Sequence, residues 1–208
     1  MEEVGVDEVA VKARTHIDYQ VIDVIARRWS PFAFDPERDV PESSVRSMLE
    51  AARWAPSARN EQPWRFLVID RSAADARAKI ESCLSEGNAW AKRAPLFLMA
   101  VAKTDYSANP EPNPWHRYDV GAAVLSAILQ ATAMGLSARQ IGAYDKPKAA
   151  GLLGIPAGFE PATLVAIGYF GGVENVTEAQ REHDVSAPRL RRPQSEFAFK
   201  GVWGNTFD

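Results

Sequence analysis

Two uninterrupted apolar runs, Pro95 to Ala102 and Pro161 to Tyr169, constrain this chain more than any other feature. A strand with one wet face alternates apolar and polar side chains, whereas a continuous run reads as a strand covered on both faces. Between them, Asp119 to Met134 is apolar nearly all round and is followed by Gly135, which predicts a buried core helix with a glycine stop. These three segments imply a sheet held inside helices rather than an open hairpin.

The remaining elements fall around that centre. Val21, Ile22, Val24 and Ile25 sit at helical spacing within Tyr19 to Arg28. Pro41 and Glu42 open a second helix, which Pro56 stops. Ser57 to Pro63 is a polar, breaker-rich loop, and Trp64 to Ile69 reads as a strand with Trp64 in the core. Ser72 to Ser85 and a short Asn88 to Arg93 are helical in pattern, and Asn109 to Pro114 is a surface loop. Ser137 to Ile141 is a short strand, and a helix begins at Lys146-Pro147 and closes at Gly154. Asn175 to Pro193 is polar and charged. Phe197 to Trp203 then alternates bulky residues, as a strand would that pairs with another subunit. The expected fold is an α+β sandwich with a sheet of four or five strands flanked by helices.

Composition narrows function. The chain has 208 residues and a net charge of -3, which suits one domain, or one domain with an arm, and disfavours nucleic-acid binding. A single cysteine, Cys83, cannot form an internal disulfide, which fits a reducing cytoplasm. No membrane span and no signal peptide are expected. The sequence holds no Gly-x-Gly-x-x-Gly, no Walker loop, no Cys-x-x-Cys and no His-Glu-x-x-His. His16, His116 and His183 are widely spaced and read as surface residues, so no metal site is expected.

Three segments carry a resemblance. They are Arg27-Arg28-Trp29-Ser30-Pro31-Phe32-Ala33-Phe34-Asp35, the run from Ala51 through Pro56-Ser57-Ala58-Arg59-Asn60-Glu61-Gln62-Pro63-Trp64 to Phe66, and Ala187-Pro188-Arg189-Leu190-Arg191-Arg192-Pro193. With Asp119 to Ala123 and Gly135 to Gly142 between them, the chain resembles the nitroreductase family of FMN enzymes from about Tyr19 to about Trp203. The resemblance implies a three-layer sandwich with a mostly antiparallel central sheet. It implies an extension at 1–18, an FMN-binding domain at 19–193, and an arm at 194–208 swapped onto the partner of a homodimer.

FMN offers a phosphate dianion, a ribityl chain and a flat ring system, and each needs a different kind of residue. Arg27, Arg28 and Ser30 stand where a helix gives way to a loop, and Arg can grip phosphate bidentately. Arg189 and Arg191 alternate along an extended segment and point to one side, while Arg192 points away. Without the resemblance these are a basic helix end and a solvated basic tail; with it, both clusters meet at one phosphate. Pro56, Ser57 and Asn60 lie on the loop that in the family reaches the flavin across the dimer interface. Ile141, Gly142 and Ala143 resemble the segment beside the ring, with the Gly142 N–H facing flavin N5, and Asn88 matches a polar position loosely. Phe32 stands where many relatives carry a basic residue near the flavin pyrimidine edge; Lys92 or Arg93 is a candidate to compensate.

The activity the resemblance implies is hydride transfer from NADH or NADPH through FMN to a flat, electron-poor small molecule such as a nitroarene, quinone or enone, by a ping-pong mechanism. Trp115, His116 and Arg117 either line the acceptor pocket or form a surface loop with one anchoring Trp. Two other readings stay open. One is a flavin-dependent dehalogenase or flavin-cleaving enzyme on this scaffold; the other is a non-catalytic FMN-binding protein, which only Phe32 supports.

Overall fold

The computed structural model describes residues 16–207. Its elements are α1 (Asp23–Arg27), α2 (Glu42–Arg53), β1 (Trp64–Ile69), α3 (Ala74–Glu81), β2 (Leu96–Lys103), α4 (His116–Ala133), β3 (Ser137–Ile141), α5 (Lys146–Leu153), β4 (Phe159–Gly168) and α6 (Glu178–Val185). Short 3₁₀ segments cover Ala58–Asn60, Glu86–Arg93, Val173–Asn175 and Gln194–Glu196. The four strands form one sheet in the order β1-β2-β4-β3, every pair antiparallel.

The apolar runs do what their pattern dictates. Along β2, Leu96, Leu98, Ala100 and Ala102 enter a core shared with α2 and α4, while Phe97, Met99 and Val101 enter a second core with Phe34, Ile80 and Trp90. Strand periodicity sends successive residues to opposite faces, so one strand serves two cores and the result is a three-layer sandwich. The β2–β4 ladder slips between Ala100 and Val101, opposite Thr163 and Pro161. Pro161, which has no N–H, sits beside this irregularity, where an interrupted ladder tolerates it.

Gly168 marks the tightest packing. A Cβ there would stand 2.5 Å from Pro95 Cδ and 3.2 Å from Phe34 Cδ1. Gly168→Ala is therefore expected to destabilise by about 1–3 kcal/mol through overpacking, with a lower urea midpoint and little change in slope as the readout.

Several boundaries differ from the pattern. α1 is only five residues, not the ten of Tyr19 to Arg28. It has no side-chain cap, and Ile22 and Ile25 stay exposed, so little tertiary burial extends it. α4 begins at His116 because buried Asn113 organises its start: its carbonyl accepts the His116 N–H and its side-chain oxygen accepts the Trp115 N–H at 3.0 Å. One stripe of α4, including Gly121 and Leu125, remains exposed, so the helix is not covered all round by this chain. The polar stretch 175–193 contains α6, opened by a capping box in which Thr177 and Gln180 bond reciprocally.

The tail is not a strand over Phe197 to Trp203. It carries the Gln194–Glu196 turn and a single Phe199–Thr206 bridge, and Gly201 and Gly204 take φ of 80° and 86° and fold the segment back on itself. Of the extension expected at 1–18, residues 1–15 lie outside the described residues. Among the described residues no helix is long and apolar enough to cross a membrane.

Candidate functional site: an arginine-lined anion cavity

Arg28 leaves α1 in an extended conformation, φ -60° and ψ 124°, which turns its side chain toward Ser30; Arg28 Nη1 donates to Ser30 Oγ at 3.2 Å. The segment after α6 returns to the same place. Arg28, Trp29, Ser30, His183, Ala187, Pro188, Arg189, Leu190 and Arg191 line one cavity of about 250 Å³. Two clusters some 160 positions apart thus share one cavity, whose lining among the described residues holds three arginines and no carboxylate.

The electrostatics suit an anion. Burial, and after it the charge of Arg191, pull the Arg28 guanidinium below its ordinary value. An arginine stays charged regardless, so the repulsion remains until a negative group enters. Arg189 has a different part. Its Nη1 donates to the Ala26 carbonyl at 2.7 Å and its Nη2 to the Arg28 carbonyl, so it clamps the end of α1 from behind. Arg27 pairs with Asp23 and does not line the cavity, and Arg192 bonds Glu196 at 3.0 Å.

Behind the cavity, Asp184, which no local sequence signal marks, ties the loop after Ser30 to α6. This carboxylate is buried. It accepts the Phe32 N–H at 2.9 Å and the Ala33 N–H at 2.8 Å, and its Oδ1 lies 2.8 Å from His183 Nδ1. The loop after Ser30 is therefore fixed to α6. His183 is exposed, as expected of a surface residue, and also borders the cavity; it stands on α6 rather than in a loop, and the Thr177-x-x-Gln180 signature could have revealed that helix.

A second cluster lies across the sheet end. Asn88 Nδ2 donates to the Ala143 carbonyl at 2.8 Å, which brings Asn88 beside Gly142. Ile141 is a core side chain, so only its backbone can serve a ligand. At Gly142 a Cβ would meet nothing within 4 Å, so its backbone faces open space. Phe32 packs edge-on to Trp90 at 5.4 Å and to His183 at 4.9 Å, and links the cavity to the Asn88 side.

Pro56, Ser57 and Asn60 are elsewhere. Their loop rests on the start of α4, where the Ala58 N–H donates to Asp119 Oδ2 at 3.1 Å, and none of them lines the arginine cavity. Within the loop the Gln62 N–H donates to Ser57 Oγ at 3.0 Å, and Gln62 Nε2 donates to Asn60 Oδ1 at 3.1 Å. Arg59, Asn60 and Gln62 hold φ of 55°, 55° and 50°. Three non-glycine residues in the left-handed region concentrate strain, a pattern common at ligand clamps.

His116 is likewise engaged rather than free on the surface. Its Nε2 lies 2.8 Å from Glu160 Oε1, and Arg117 Nη2 donates to Glu160 Oε2 at 2.9 Å. Arg117 and Glu160, not Trp115, line a neighbouring cavity of about 460 Å³ with Gly121, Gln140 and Thr163. The Arg117 guanidinium, ahead of His116, holds the Glu160 carboxyl at about 2 against the opposing effect of burial. A depressed carboxylate gives stability that is whole above its unfolded value and lost as pH falls toward the folded one. Glu160→Gln should thus flatten the loss of stability between about pH 4.5 and about pH 2, read from denaturant midpoints across that window.

A three-layer sandwich with an arginine-lined cavity defines the class: an α+β domain with a site whose charge suits an anion. The comparisons give the family. The model of the nitroreductase family matches residues 25–89 and 81–169, and the chain belongs to this family. It is 31% identical over 148 residues to an uncharacterized 15.4 kDa protein of Mycolicibacterium smegmatis, spanning 68% of this chain and 98% of that one. It is 30% identical over 161 residues to a protein named NADH dehydrogenase of Thermus thermophilus, spanning 62% and 77%. Among solved structures, one described as an oxidoreductase containing FMN superposes with a TM-score of 0.83 at 33% identity, covering 92% of this chain and 97% of that one.

Proposed function

We propose that this chain is an FMN-dependent oxidoreductase that takes hydride from NADH or NADPH and passes it to an electron-poor small molecule. One observation carries the reading: Arg28 and Arg191 stand close enough to repel each other around a cavity that, among the described residues, has no carboxylate in its lining. A phosphate dianion relieves that repulsion and accepts charge-assisted hydrogen bonds from both. The FMN named for the similar structure and the NADH named for the Thermus relative agree with it.

The residues present fit FMN in order. Arg28, Ser30 and Arg191 hold the phosphate, with Arg189 bracing Arg28 from behind. Asn88 and the Gly142 backbone N–H lie along the ring, and the open space over Gly142 leaves room for it. Flavin supplies reversible hydride acceptance; the protein binds, orients and excludes water. One open face serving donor and acceptor in turn gives ping-pong kinetics.

The working unit is a homodimer in the cytoplasm. The Pro56–Asn60 loop of a second copy completes the site that this chain leaves open, and the arm from Gln194 crosses to that copy. The exposed Trp54, Tyr118 and Leu125 beside the uncovered stripe of α4 supply an apolar interface.

An absorption spectrum of the purified protein, before and after anaerobic NADH or NADPH, tests the reading. Flavin bands that bleach with either donor are the expected result. A colourless protein that FMN cannot reconstitute would overturn it.

A further inference from the structure

β3 delivers a cation that the cofactor reading has not used. Arg139 faces the same side of the sheet as Ile141, and its half-buried guanidinium lies 3.5 Å over the Phe32 ring centroid and 5.3 Å from that of Trp90. Its Nη1 donates to the Ser30 carbonyl. Arg139 has no carboxylate in hydrogen-bonding contact among the described residues. Asp184 is near enough to favour its charge, but that carboxylate is engaged by the Phe32 and Ala33 N–H groups and by His183.

Position follows from these contacts. Ser30 borders the anion cavity, Phe32 and Trp90 follow, and Trp90 Nε1 reaches Asn88 Oδ1 at 3.3 Å beside the Gly142 segment. Arg139 lies between the two ends of this track. Position 32 itself carries no charge. Lys92 is exposed, and Arg93 lies against Gly172, so neither stands over Phe32.

We propose that Arg139 places its guanidinium at the pyrimidine edge of bound FMN and stabilises the anionic reduced flavin, in the role that Phe32 cannot fill. The assignment rests on FMN occupying the arginine cavity. Arg139 is a tuning residue: a fixed positive charge in a partly desolvated site favours the added negative charge of the reduced form. Stacking on Phe32 holds the guanidinium plane in place.

The test is the flavin midpoint potential of the FMN-loaded wild type, Arg139→Gln and Arg139→Lys proteins, measured by dye equilibration. Arg139→Gln should weaken binding of reduced relative to oxidised FMN about tenfold, a fall of about 30 mV for a two-electron couple. Arg139→Lys should retain most of the wild-type potential, since it keeps charge without the fork. Equal shifts in both variants would mean a merely structural role and overturn the proposal. So would an unchanged potential with a selective loss of FMN over riboflavin affinity, which would put Arg139 on the phosphate. A wild-type protein that takes up no flavin fails the cofactor reading itself, which sets that failure apart from the other two.

Discussion

Arg28→Ala is expected to lower FMN affinity by about tenfold to a few hundredfold, because a hydrogen bond to a charged group is worth about 1.5–3 kcal/mol. Flavin fluorescence quenching on titration reads the loss directly. The stability of the cofactor-free protein should move the other way or hardly at all. Arg28 is half-buried and held beside the like charge of Arg191, so its removal relieves desolvation and repulsion together. Riboflavin, which lacks the phosphate, should bind the variant and the wild type alike. Equal losses for FMN and riboflavin would show that Arg28 does not meet the phosphate.

The largest effect on folding is expected at Asp184. Its carboxylate is fully buried and accepts two backbone N–H groups from residues more than 150 positions away. Asp184→Ala leaves the buried Ala33 N–H and the part-buried Phe32 N–H without this partner and should cost about 3–5 kcal/mol, the range for breaking a buried charged network. Thermal or urea unfolding measures this. Cofactor affinity should fall as well, since the same bonds hold Ser30 and the loop at Phe32 against the helix that leads to Arg189 and Arg191. A loss below about 1 kcal/mol would mean that water replaces the carboxylate at those N–H groups.

The sheet was legible because it is written in local terms. β1 and β3 are read to the residue from their apolar boundaries, and α5 from Lys146-Pro147 and Gly154. The helices were less so. α1 lacks the burial that would extend it, and the start of α4 depends on Asn113, whose capping bonds leave no periodic trace. The arginine cluster was legible in the sequence, and the structure brings Arg28, Arg189 and Arg191 to one cavity while Arg27 turns to Asp23. The partners of those arginines were not. Asp184 and Arg139 act through residues 109 to 152 positions away, and nothing in the order of residues announces such a meeting. His183 is exposed as its sequence context suggests, but its helix, opened by the Thr177–Gln180 capping box, is legible only through that local signature.

The double covering of β2 bears on how unfolding of this protein must be watched. Amide hydrogens from Phe97 to Val101, paired on both sides and buried on both faces, can exchange with solvent only when the whole sheet opens. The tail beyond Gln194 has one bridge and little burial, and should exchange through small local openings. The tryptophans divide the same way, with Trp29, Trp64 and Trp90 buried and Trp203 90% exposed. With the exposed Trp54 and Trp115 replaced by Phe, emission from the buried group reports loss of the sandwich and Trp203 reports whatever the arm rests on, so one intrinsic-fluorescence melt then contains two separable signals.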